Sequence, residues 1–102
     1  MASERQAADT VMLDLRGLAS FADYFVITSA QNSRHIQALV EELEQGLEQR
    51  GVPLHHREGT GDSGWVLLDF GDVIVHLFLP EERERIGLEL LWRGAVPVVR
   101  VQ

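Results

Sequence analysis

The run WVLLDF-GD-VIVHLFL, residues 65–79, constrains the fold more than any other stretch of the chain. Two segments rich in β-formers flank a two-residue turn with glycine first, the sequence form of a β-hairpin. A strand with one wet face alternates apolar and polar residues, whereas these two are apolar at almost every position. Both of their faces must be covered, so the hairpin belongs near the middle of a sheet with other layers packed on it. Those layers have to come from the rest of a 102-residue chain, a length that suits one domain.

The clearest of them is a helix. Ile36, Leu39, Val40, Leu43 and Leu47 fall at i, i+3, i+4, i+7 and i+11, one stripe of an α-helix. Asn32 or Ser33 can cap its first turn, Gly51 stands where a left-handed residue ends a helix, and Pro53 lies just beyond. Glu41, Glu42, Glu44, Gln45 and Glu48 occupy the other side. Upstream, residues 10–15 (TVMLDL) and 22–29 (ADYFVITS) read as strands, and the short link between them predicts antiparallel pairing. Residues 52–58 read as a weak strand that Pro53 confines to an edge or a strand start. The GTGDSG segment, residues 59–64, is a loop.

Pro80 with Glu81, Glu82 and Glu84 marks a short helix running towards Gly87. Residues 88–92 form a second helical or irregular piece, and residues 95–102 read either as a last strand or as a loose end. Residues 1–9 make a short leading segment without the apolar core of a signal peptide. No repeat or linker interrupts the pattern. The sum is a single α/β domain, a mixed β-sheet flanked by helices.

Charge narrows the function. Nine basic residues face sixteen acidic ones, a net −7, and every basic residue is arginine, scattered along the chain. A protein that tracks phosphates needs clustered cations, so direct nucleic-acid binding is disfavoured. An acidic protein is instead suited to a basic protein partner. There is no cysteine, hence no disulfide, no thiolate nucleophile and no cysteine zinc site. Apolar runs are strand-length, too short to span a bilayer as a helix. A cytoplasmic protein without a membrane partner is the expectation.

Catalytic readings find little support. Asp69-Phe70-Gly71 matches a kinase string, yet the glycine-rich loop, strand lysine and catalytic loop that give it meaning are missing, which leaves a hairpin turn. His55 and His56 are adjacent and point to opposite faces of a strand, and neither they nor His35 and His76 show ligand spacing. Asp14, Asp23, Asp69 and Asp72 could furnish a metal-binding carboxylate pair with Ser29, Ser33 and GTGDSG as phosphate contacts. No phosphate-loop signature accompanies them, and turn and cap roles suffice. No cofactor or metal is expected. Trp65 and Trp92 stand at element ends, where a tryptophan either fills core or anchors an interface.

The strings ADYFVITSAQNSRHIQALVEELEQGL and GWVLLDFGDVIVHLFLPEERERIGLELLW, in this order and spacing, resemble the ribosomal silencing factor family, also called RsfS or Iojap-like proteins. The resemblance covers about Asp9 to Trp92. It implies a fold similar to nucleotidyltransferases without a catalytic set. It further implies binding to ribosomal protein fourteen of the large subunit, blockage of small-subunit docking and repression of translation. An organellar branch assists large-subunit assembly, which is the alternative function, and some members are homodimers in isolation. Carried over by position, Trp65, Asp69, Phe70, Asp72 and His76 of the hairpin and Glu81, Arg83, Glu89, Leu91 and Trp92 of the following helix would form the ribosome-facing surface. A nucleotidyltransferase-type enzyme is a third, weaker reading, because fold alone does not establish function.

Overall fold

In the computed structural model, which describes residues 8–101, the hairpin lies inside the sheet as its composition requires. The elements run β1 (Ala8–Asp14), β2 (Tyr24–Ser29), α1 (Ser33–Gln49), β3 (His56–Glu58), a single 3-10 turn (Gly61–Ser63), β4 (Trp65–Asp69), β5 (Val73–Phe78), α2 (Pro80–Ile86), α3 (Leu88–Leu91) and β6 (Val96–Val101). One six-stranded sheet holds them in the order β3-β4-β5-β2-β1-β6. β2 and β5 pair in parallel and every other neighbour is antiparallel. The fold is α/β with a mixed sheet.

Turn chemistry sets the hairpin register. Gly71 has φ +98°, which only glycine adopts cheaply, and the Phe70 amide donates to the Val73 carbonyl at 2.9 Å. Trp65, Leu67 and Asp69 therefore lie opposite Phe78, His76 and Ile74. Side chains alternate across the pleat, so these six share one face with Phe25 and Ile27 of β2 and Val11 and Leu13 of β1.

The opposite face carries Val66, Leu68, Val75 and Leu77, and α1 packs on it with Ile36 and Val40 fully buried. Asn32 is the cap: its side chain accepts the His35 amide at 2.8 Å. At the other end Gly51 is left-handed, and the Gly51 and Val52 amides donate to the Glu48 and Leu47 carbonyls, a Schellman ending. The helix is narrower than the sheet. Leu39, Leu43 and Leu47 are only half-buried and border an apolar groove of about 340 Å³ that reaches Thr10 and Val26.

Three stretches differ from or complete the sequence reading. Of residues 52–58 only His56–Glu58 form a strand, at the sheet edge, with the His55 amide donating to the Asp69 carbonyl just before it, and Pro53, which has no N–H for a ladder, lies outside. The tail is a strand: β6 pairs with β1 along its length. Residues 88–92 are helical through Leu91, and Gly87 at φ +61° separates this turn from α2.

Candidate functional site

The face away from α1 is covered by α2, α3 and the β1–β2 link, and aromatic rings run through it without a break. Trp65 stacks on Phe78 with 5.2 Å between centroids, and His76 lies edge-on to Phe25 at 4.6 Å. Phe25 meets Trp92 at 5.5 Å, and Trp92 meets Phe21 at 6.0 Å, both edge to face. Tilted and edge-on contacts are the arrangements that aromatic quadrupoles favour. The ladder leads from the first residue of β4 to the protein surface. Phe21 at its end is 56% exposed, and Leu91, next in the chain to the half-buried Trp92, is 74% exposed. Leu18, also exposed, lies close to Gly94 in the same region.

Backbone geometry holds Trp65 in place. Gly64 is left-handed and ends the 3-10 turn directly before it. Gly59, at φ +86°, brings the preceding loop so near that any side chain there would run into the Trp65 carbonyl. The indole N–H donates to His76 Nδ1 at 3.2 Å. An indole can only donate, so Nδ1 must accept and the neutral imidazole carries its hydrogen on Nε2. His76 is 2% exposed, and among the described residues Nε2 has no hydrogen-bond partner. Burial pushes its pKa down to about 4, because desolvation penalises the charged ring.

Around Trp65 opens a cleft of about 370 Å³ lined by Glu58, Leu67, Glu82 and Arg85. Arg85 binds Glu82 through two hydrogen bonds of 2.9 and 2.8 Å, and this contact holds the Glu82 carboxyl below the usual range.

The ten residues carried over from the family resemblance divide between surface and interior. Trp65, Asp69, Glu89 and Trp92 are half-buried, while Asp72, Glu81 and Leu91 are exposed. Phe70, His76 and Arg83 are buried rather than at the surface. Phe70 packs on the α1 face, opposite the aromatic ladder. Arg83, 8% exposed, is a clamp: Nε and Nη2 donate to Glu89 at 2.8 and 3.0 Å, and Nη1 donates to the Asp9 carbonyl and Ser29 Oγ. It ties α2 and α3 to β1 and β2 with its donors turned inward.

Asp69 Oδ1 accepts the Gly71 amide at 2.8 Å, and the Asp72 carbonyl accepts the Asp23 and Tyr24 amides. Both serve the hairpin turn and its junction with β2. Sequence reasoning missed Phe21, Phe25 and Leu18. For Phe21 and Leu18 a signal existed, since large apolar residues in a short link beside Gly17 are out of place in a solvated turn.

The model of the family "Ribosomal silencing factor during starvation" matches residues 1–102. The ribosomal silencing factor RsfS of Bacillus subtilis is 36% identical over 92 residues, covering 90% of this chain and 78% of that protein. A mouse protein named for mitochondrial assembly of the ribosomal large subunit is 35% identical over 87% of this chain, which corresponds to 40% of its own length. A crystal structure from Chromobacterium violaceum superposes with a TM-score of 0.84 at 31% identity, covering 97% of this chain and 82% of that one. The chain belongs to the ribosomal silencing factor family.

Proposed function

We propose that this protein binds the large ribosomal subunit in the cytoplasm through ribosomal protein fourteen and, by covering that surface, keeps the small subunit from docking. Translation is repressed by occupancy, with no turnover. The observation that carries the reading is the exposed end of the aromatic ladder, Phe21 and Leu91 beside half-buried Trp92, on a chain of net charge −7. An aromatic anchor with apolar neighbours supplies the desolvated centre of an interface, and surrounding acids select a basic partner. Asp72, whose carbonyl accepts the Asp23 and Tyr24 amides close to Phe21 in the chain, is exposed and suited to that rim. An interface of roughly 1,600 Å² in total is enough for steric exclusion.

Reassociation of purified subunits tests this. Excess protein should leave large and small subunits separate in a sucrose gradient, and unchanged joining would overturn the proposal. Large-subunit assembly is the second reading, favoured by the name of the mouse relative. Under that reading the protein sediments with immature particles and leaves finished large subunits alone. A homodimer is a further expectation, checked by sedimentation equilibrium, and would have to leave the Phe21–Trp92 end free to be compatible with ribosome binding.

A further inference from the structure

His76 is the oddest residue in the interior. It sits on β5 between Trp65, Phe25 and Phe78, where a leucine or phenylalanine would fill the space without a polar atom. Burying an imidazole with one nitrogen unpaired costs about 1–3 kcal/mol. Within the described residues its only hydrogen bond is the one it accepts from the Trp65 indole. That bond joins a ring that cannot reach a partner to one that lines an open cleft.

We propose that His76 is a positioning residue: its Nδ1 fixes the rotation of the Trp65 indole, so that one edge of the ring is presented to the ribosomal partner in a set orientation. This rests on the proposed ribosome-binding reading and refines it. An indole held only by its stack on Phe78 can slide and flip, because stacking constrains tilt more than in-plane rotation. A directed N–H···N bond removes that freedom before binding, so its ordering cost is not incurred when the complex forms. The other polar groups near Trp65 leave the indole nitrogen to His76. Ser63 Oγ bonds the Trp65 backbone, while Glu82 and Arg85 bond one another.

The test compares four variants of the full chain for binding to purified large subunits, with circular dichroism confirming the fold and the Trp65 indole resonance followed by 15N NMR. His76→Leu keeps apolar volume and deletes the acceptor. His76→Asn restores one, because asparagine Oδ1 is bonded to Cγ just as Nδ1 is. Trp65→Phe keeps the stack and deletes the donor. Trp65→Ala removes the anchor. The proposal expects His76→Leu to shift the indole N–H, to speed its exchange with water, and to weaken binding roughly three- to tenfold, the cost of ordering one side chain when the complex forms. Trp65→Phe should weaken binding similarly, and His76→Asn should recover much of the loss seen in His76→Leu. Should His76→Leu fail to fold, Trp65→Phe and His76→Asn decide the question. Wild-type binding by folded His76→Leu, or by Trp65→Phe, while Trp65→Ala loses binding, would overturn the positioning role alone. Wild-type binding by Trp65→Ala would remove Trp65 from the contact and take the positioning role with it.

Discussion

The two faces of the sheet are built from different materials. Beneath α1 the contacts are aliphatic: Ile36 and Val40 on Val66, Leu68, Val75 and Leu77, with Phe70 at the margin. On the other face two indoles, an imidazole and three phenylalanines form one ladder, and a buried arginine clamps the covering helices. Aliphatic packing is dense and non-directional, and its main product is stability. Rings with polar handles and a guanidinium with fixed donors cost more to bury and give direction in exchange. On the proposed reading, recognition belongs to the aromatic face, whose aliphatic members Val11, Leu13, Ile27 and Ile74 share the work of folding with the α1 face.

Substitutions should break this division in a graded way. The largest effect is expected at Leu68, fully buried under α1. Leu68→Ala should cost about 3 kcal/mol in urea unfolding by loss of transfer energy and creation of a cavity. At temperatures where the variant remains folded, its affinity for the large subunit should match wild type. A binding loss beyond the unfolded fraction would show that the α1 face also takes part in recognition.

Next in size is the pH response of His76. Folded, the ring stays neutral down to about pH 4, whereas in the unfolded chain it takes up a proton near its ordinary 6.5. Between those values the unfolded state holds more protons, so stability is full above about pH 6.5, falls as pH drops towards 4, and levels off below. The whole span amounts to roughly 3 kcal/mol. The measurement is the difference between wild type and His76→Leu across this window, in which the carboxylates common to both cancel. A flat difference would mean the imidazole reaches water or a partner and that the aromatic face is less dry than its geometry implies.

Arg83 follows. Arg83→Met keeps the length of the side chain and strips the donors from Glu89, Ser29 and the Asp9 carbonyl. Breaking a buried pair can cost 3–5 kcal/mol, but Glu89 is one-third exposed and water will solvate part of it, so about 2 kcal/mol is expected. Thermal melts followed by circular dichroism read this out. A loss under about 0.5 kcal/mol would make the clamp a surface contact in energetic terms.

How much of this was legible in the sequence follows from the range of each interaction. The hairpin and α1 could be read because their signals are local: a glycine-first turn, a helical stripe, an asparagine cap, a glycine ending. The strand at 96–101 could not be assigned, because its pairing with β1 joins residues more than 80 positions apart, such as Asp14 with Val96. The role of Arg83 was hidden for the same reason, since one of its acceptors, the Asp9 carbonyl, is 74 residues away. Resemblance by position put Arg83, His76 and Phe70 on a surface, and only packing shows them to be inside. Phe21 was overlooked because aromatic ladders have no sequence period.

Phe21 therefore offers the finest test of the division between the faces. It is exposed and meets the ladder at Trp92 and Phe25, so Phe21→Ser should change stability by no more than about 1 kcal/mol. If the ladder's end is the centre of the interface, the same change should weaken large-subunit binding about tenfold, as loss of a contact aromatic does. Leu90 is the control. It is 66% exposed on the same short helix as Leu91 but borders the Arg83 cleft with Glu84 and Glu89. Leu90→Ser should bind within about twofold of wild type, as an energetically near-neutral contact would. Equal losses in both variants would mean that binding follows exposed apolar area in general. A loss confined to Phe21→Ser would place the partner on the Phe21–Trp92 end.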